Sequence, residues 1–328
     1  MAFLQARDLV VEYRTRRGPV RALDGASLDV APGEIVGVVG ESGSGKSTVG
    51  AAMGRLLPRN AGVVAGEVRV GDVPLSGLDD AGLRALRREQ LGFVFQDPIG
   101  TLDPTARIGR QMRWALGRDA AHDEIAERLA HVRLPDPARV MRAYPHQLSG
   151  GMAQRVSIAL ALANAPRAVI ADEPTASLDA SVRTEILELL VGVVRETGAA
   201  LVLMSHDLRA VRRFCTRVAV VYGGRVVETA PADELFVAPA HPYTRALLDA
   251  APGAERPGET LRPIPGRPPV LRGPYPGCAF APRCPVQVAA CTAERPQPAR
   301  ARGAEAGHEV LCHVAADAPI PVAAGEPA

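Results

Sequence analysis

Eight consecutive residues, Gly40-Glu41-Ser42-Gly43-Ser44-Gly45-Lys46-Ser47, constrain what this chain can fold into more than any other stretch. They follow the apolar run EIVGVV, which reads as a strand, and lead into TVGAAMGRLL, which reads as a helix. Glycines at such a strand-to-helix turn let the backbone curl until successive amides point at one anion, and the helix N-terminus adds its dipole. In that setting Gly40, Ser42, Gly43, Ser44, Gly45 and Thr48 line the loop, and Lys46 places a point charge beside the outer phosphates of a nucleotide. Ser47 offers its hydroxyl to Mg2+. Lys46 is the only lysine in the chain, since arginine supplies every other strong positive charge. Arginine's planar fork is larger and differently hydrated, which makes it a poor replacement inside this loop.

The other apolar runs extend the same reading. VRV at 68 to 70, LGFVF at 91 to 95, AVIAD at 168 to 172, ALVLMS at 200 to 205 and RVAVVY at 217 to 222 alternate with longer helix-like stretches. Runs that are apolar throughout predict strands buried on both faces, hence a parallel sheet flanked by helices and an α/β core. From Pro98 to Gln147 the pattern turns mainly helical, with Ile125, Leu129 and Val132 on one stripe, and predicts a helical subdomain inserted into that core. No repeat in the range of about 20 to 50 residues is present, which disfavours a solenoid or propeller. With 328 residues, 47% of them hydrophobic, the chain has material for one large or two ordinary domains. A net charge of +2 and 4% aromatic content supply neither the field nor the stacking surface of a nucleic-acid binder. No apolar run is long enough for a membrane span, and Arg7, Asp8 and Glu12 interrupt the N-terminal apolar residues, so a cytosolic chain is expected.

A second strand end supplies partner chemistry: AVIADE delivers Asp172 to the Mg2+ shell and Glu173 to the attacking water. ALVLMSHD ends another strand in His206, a residue that alone is as compatible with packing as with function. LSGGMAQR at 148 to 155 has no role in an isolated phosphate loop, yet Ser149, Gly150 and Gly151 open a helix whose exposed amides suit phosphate. This octapeptide resembles the signature sequence of ATP-binding cassette (ABC) ATPases, P-loop NTPases whose signature closes on the nucleotide held by a second subunit. Residues 3 to 236 resemble that family, every element standing in the expected order. The resemblance implies that Gln96 touches Mg2+ and water and that Asp179 belongs to the loop after Glu173. It also implies that His206 contacts the γ-phosphate and that Tyr13 stacks on adenine. Met152 stands where glutamine commonly ends the signature core.

Composition changes near residue 230: residues 231 to 328 hold 18 of the 29 prolines, which excludes long helices and central strands, so the tail needs some other fastening. HPYTRALLDAAP from 241 and GCAFAPRCP at 277 to 285 resemble the C-terminal extension of oligopeptide and dipeptide importer ATPases, a subfamily in which the LSGGM form is also common. Two segments result, an ABC ATPase domain at 1–236 with a helical subdomain at about 98–165, and an irregular Pro/Cys-rich extension at 237–328. Cys278, Cys284, Cys291 and Cys312 are separated by 5, 6 and 20 residues, too widely for the close pairs of most zinc sites. Importers of this subfamily with a matching cysteine set carry a [4Fe–4S] cluster, so the resemblance implies one here, with zinc or unliganded thiols as the alternatives. His308 and His313 are read as surface residues and Cys215 as a packed thiol. The resemblance further implies ATP and Mg2+ as ligands, and import of peptides, or of nickel or a related small solute. Its partners would be a paralogous ATPase, two transmembrane permease subunits and an extracytoplasmic solute-binding protein, with the chain on the cytoplasmic face of the membrane. A soluble ABC ATPase acting on nucleic acid is the rival reading, and the near-neutral charge argues against it.

Overall fold

A computed structural model of the chain describes residues 2–117, 119–251, 263–301, 303–304 and 307–315. The proline-bearing stretch 252–262 and residues 316–328 of the expected extension lie outside the described residues. In chain order the first elements are β1 (Leu4–Thr15), β2 (Gly18–Val30), β3 (Ile35–Val39), α1 (Lys46–Met53) and β4 (Ala61–Val70). Next come β5 (Val73–Pro74), α2 (Asp80–Gln90) and β6 (Leu91–Val94). A run of helices follows, α3 (Pro98–Thr101), α4 (Ile108–Leu116), α5 (His122–His131), α6 (Pro137–Arg142) and α7 (Gly150–Ala161). Then come β7 (Ala168–Asp172), α8 (Ala180–Thr197), β8 (Ala200–Met204), α9 (Leu208–Phe214), β9 (Arg217–Tyr222) and β10 (Arg225–Pro231). The tail contributes short pieces, α10 (Ala232–Val237), α11 (Pro242–Asp249), α12 (Ala290–Ala293), β11 (Ala299–Arg300) and β12 (Glu309–Val310). No helix among the described residues is long and apolar enough to cross a membrane.

The residues form two compact units. The first comprises the chain up to Leu4, Val30–Ile35 and Arg69–Ser205. Its centre is three parallel strands, β6, β7 and β8, paired from Leu91↔Ala168 to Val94↔Ala171 and from Ala168↔Ala200 to Asp172↔Met204. Every residue of β8 is buried, and in β7 only the terminal Asp172 is partly exposed, as the continuous apolar runs require. Helix α7 packs on β6, α3 and α8, and α8 ends where Gly198 turns into the left-handed region at φ 66°. The expected strand VRV departs from this pattern. It is the end of β4, pairs antiparallel with β5 through Arg69↔Pro74 and Val70↔Val73, and exposes Arg69 partially between two buried valines. A three-residue apolar run carries too little periodicity to separate the two cases.

The second unit comprises Gln5–Asp29, Val36–Val68 and the chain from His206 onward. Here β3 runs parallel to β9 (Val36↔Arg217 to Val39↔Val220), β10 lies antiparallel to β9, β12 adds to β10 and β11 to β12. Strands β2, β1 and β4 lie side by side in a separate sheet.

The tail is fastened by packing and ion pairs. Tyr222, Tyr243 and Phe280, each at most 1% exposed, form one aromatic cluster, with ring centroids 4.4 to 5.4 Å apart. Asp24, buried in β2, accepts from Arg21, Arg225 and Arg295, so one carboxylate joins β2, β10 and the tail. Burial alone would raise its pKa, but the hydrogen bonds from Arg225 and Arg21 outweigh this and hold it below the ordinary value. His308 is not a surface residue: it is buried between Glu228 (2.8 Å) and Glu234 (2.9 Å), while His313 lies 3.0 Å from the Glu294 carbonyl oxygen. Cys215 stands at the C-cap of α9 and is buried.

The four tail cysteines gather in one region, and the Cys278 amide donates to the Cys291 carbonyl at 2.8 Å. Burial, reinforced by the neighbouring thiols, pushes Cys278 up to about 11 and also raises Cys284 and Cys312. Among the described residues, however, no group of three or more Cys, His, Asp or Glu side chains is arranged to hold a metal ion. The [4Fe–4S] cluster expected at Cys278, Cys284, Cys291 and Cys312 therefore finds no support in the arrangement of these residues. The side chains do not form a ligand set, and the fastening it was to supply comes from the aromatic cluster and the ion pairs.

Candidate functional site

The glycine-rich loop lies in the second unit, between β3 and α1. Gly40, Gly43 and Gly45 all adopt positive φ, at 152°, 78° and 113°. A Cβ at Gly40 would run into the Val221 carbonyl oxygen, and one at Gly45 would stand 2.9 Å from the Ala22 oxygen, so glycine is a steric requirement at both. Helix α1 begins at Lys46 behind Gly45, an N-cap residue with no side chain to cap the first turn, and its leading amides are directed toward the loop. Lys46, 8% exposed, curls back to donate to the carbonyls of Gly40 (2.7 Å) and Glu41 (3.1 Å). The hydroxyl of Ser44, a residue 2% exposed, has no hydrogen-bond partner among the described residues. An orphaned buried hydroxyl is costly. It fits a loop built around an anion. Ser42, Gly43 and Ser47 face solvent, and the Tyr13 hydroxyl lies 3.3 Å from that of Thr48, which places Tyr13 beside the phosphate-loop helix. His206, exposed, precedes Asp207, whose side chain caps α9 by accepting from the amides of Arg209 and Ala210.

The same loop is gripped from the tail, through residues the motif did not mark. The Glu41 amide donates to the Tyr243 hydroxyl at 2.7 Å, and the Glu41 carboxylate takes both terminal nitrogens of Arg283, at 2.7 and 3.1 Å. Burial raises the Tyr243 pKa and keeps the phenol neutral, while the pairing with Glu41 raises that of Arg283. The signal for Tyr243 was present in HPYTRALLDAAP, but its partner stands 202 residues away in sequence.

The first unit carries the remaining candidates. Strand β7 delivers Asp172 to its C-terminal end, and Glu173 follows in the left-handed region at φ 47°, pinned by its amide to the Met204 carbonyl at 3.0 Å. A glutamate held there is strained, a feature that collects at functional positions. Gln96 is exposed after β6, and its carbonyl accepts from the Ser177 hydroxyl at 3.2 Å, linking the segment after β6 to the one after Glu173. Asp179 stands at the N-cap of α8 without a side-chain bond to the helix. Ser149 caps α7, accepting from the Met152 amide at 3.3 Å, and leaves Gly150 exposed at the helix start. A Cβ at Gly150 would make only an ordinary 3.4 Å contact with Leu178, so folding does not demand glycine there, whereas approach by another molecule would.

Comparison with known proteins matches these features. The family described as ABC transporter matches residues 23–176, and the one described as oligopeptide/dipeptide transporter, C-terminal region, matches residues 227–291. The chain is 40% identical over 321 residues to the probable peptide ABC transporter ATP-binding protein y4tR of Sinorhizobium fredii, across 94% of this chain and 96% of that one. It is 41% identical over 295 residues to the dipeptide transport ATP-binding protein DppD of Bacillus subtilis, across 88% of each. The dimeric post-hydrolysis structure of the ATP-binding cassette MJ0796, bound to ADP and Pi, superposes with a TM-score of 0.62 at 32% identity. It covers 70% of this chain and 98% of that one.

Proposed function

The chain belongs to the ABC transporter ATP-binding protein family, and from that premise we propose that it is the ATP-hydrolysing subunit of an importer of di- or oligopeptides. One observation carries the chemistry: a steric glycine cradle with a buried lysine and an orphaned serine hydroxyl, at the start of an uncapped helix. The match of residues 227–291 to the oligopeptide/dipeptide C-terminal region supports the peptide assignment.

In this reading the amides from Gly40 to Thr48 and the Lys46 ammonium hold the phosphates, and Tyr13 meets the adenine. Ser47 and Gln96 would hold Mg2+, with Asp172 contributing to its shell; the ion would neutralise charge on the outer phosphates. Glu173 takes a proton from water as the water oxygen bonds to the γ-phosphorus and the bond to the bridging oxygen of ADP breaks. His206 contacts the γ-phosphate. Ser149, Gly150 and Gly151, with Asp179, serve the nucleotide of a second, paralogous ATPase subunit, so that ATP closes the pair and hydrolysis releases it. Residues 1–236 act as the ATPase domain and 237–328 as an extension, at the cytoplasmic face of the membrane. The remaining partners are two permease subunits and a solute-binding protein.

Glu173→Gln keeps the size of the side chain and removes the base. ATP turnover is expected to fall by about 10²- to 10⁴-fold while bound ATP is retained. An unchanged steady-state rate in the purified assembly would overturn the role given to Glu173.

A further inference from the structure

The tail holds the phosphate loop at Glu41, by both its backbone and its side chain. Every donor of Arg283 is used in doing so. Its Nε donates to the Pro265 carbonyl (2.6 Å), Nη1 to Glu41 and to the Tyr222 hydroxyl (3.1 Å), and Nη2 to Glu41 and to the Ile264 carbonyl (3.2 Å). With all five N–H groups engaged and the side chain 5% exposed, the guanidinium is fixed, and its fork fits the carboxylate in the bidentate geometry that gives the strongest such pairs. Tyr243 is equally fixed. It is fully buried against Tyr222 and Phe280, and its own amide donates to His241 Nδ1 at 3.0 Å, while the His241 amide donates to Glu228 at 2.9 Å.

Glu41 is also the residue whose carbonyl receives Lys46. Three contacts therefore converge on it, two from the tail and one from the cation of the phosphate loop. A shift of Glu41 moves the acceptor that aims the Lys46 ammonium and alters the curl of the amides that follow it. We propose that Arg283 and Tyr243 are positioning residues for nucleotide binding, acting through Glu41 to keep the loop and Lys46 in the phosphate-receiving geometry. The extension thereby sets the affinity of this chain for ATP, a role that rests on the ATP-binding function proposed above. A tail merely stapled to the core would need neither a bidentate pair on a loop residue nor a tyrosine hydroxyl spent on a loop amide.

The test is ATP·Mg2+ binding by the purified full chain, read by calorimetry, with melting temperature measured alongside and steady-state hydrolysis measured in the assembly with its second ATPase subunit. Tyr243→Phe removes one oxygen from an otherwise intact ring, and ATP binding is expected to weaken about two- to tenfold with the melting temperature largely kept. Arg283→Met is expected to weaken binding about tenfold and to raise KM by a similar factor while kcat moves far less. Adding Glu41→Gln to Arg283→Met should weaken binding little further, because both act through one contact. Unchanged ATP affinity in both single variants, or additive effects in the double variant, would overturn the proposal. A wild-type chain that fails to bind ATP would instead overturn the functional reading itself.

Discussion

Lys46 donates to two carbonyls of its own loop, and no other side chain in the protein carries a primary amine. That gives a direct residue-scale prediction: an amine-directed reagent should modify Lys46 and the N-terminus alone, and saturating ATP should protect Lys46. Labelling of Lys46 that ATP does not change would contradict its placement at the phosphates. The cradle was legible in the sequence because it is local: eight contiguous residues between a strand and a helix specify their own backbone, and the structure needs glycine at Gly40 and Gly45 for stated steric reasons. The pairing of Glu41 was not legible: Tyr243 and Arg283 fall within the tail segments HPYTRALLDAAP and GCAFAPRCP, but Arg283 lies 242 residues from Glu41 and neither segment names its partner. The cysteines show the converse: the resemblance implied a ligand set, but it could not give the positions of the side chains, and among the described residues no group is arranged to hold a metal ion.

At the scale of elements, uninterrupted apolar runs translated directly into β3, β6, β7, β8 and β9. The strand β1 did not. Leu4 and Ala6 are buried, then Asp8 turns to φ 49°, and burial resumes at Leu9 and Val11. One bulged residue moves the inward set from even to odd positions and erases the period-2 signal. The tail elements are short, as its prolines require, and are joined through buried histidines whose titrations oppose each other. Burial would lower the His308 pKa, but hydrogen bonds to Glu228 and Glu234 and their charges outweigh it and leave it above the ordinary 6.5. Its contribution is thus complete below pH 6.5 and is lost as pH rises through the folded-state value. His241 is lowered to about 4 by burial, so its contribution is present above 6.5 and is lost as pH falls toward 4. Melting temperature against pH should therefore decline on both sides. His308→Ala is expected to destabilise by about 3 to 5 kcal/mol at acidic pH, by stranding the buried Glu228, and to flatten the alkaline limb. An alkaline limb unchanged in that variant would contradict the assignment.

At the scale of the whole molecule, the chain carries both halves of an ATP-driven device. One is a phosphate loop; the other is a helix start where Ser149 and Gly150 are exposed, which in the proposed function serves the nucleotide of a second subunit. Fold class and subunit type were readable because five separated motifs occur in one order. The fastening of the tail was not, because it depends on aromatic and ionic contacts between distant segments. The most direct test of the central claim is ATP hydrolysis and labelled-dipeptide uptake measured together, in vesicles containing this chain, its paralogue and the two permease subunits, with the solute-binding protein added. Uptake should require ATP, rise in step with hydrolysis, and vanish with Glu173→Gln. Hydrolysis that is indifferent to peptide and binding protein, with no uptake, would contradict the account.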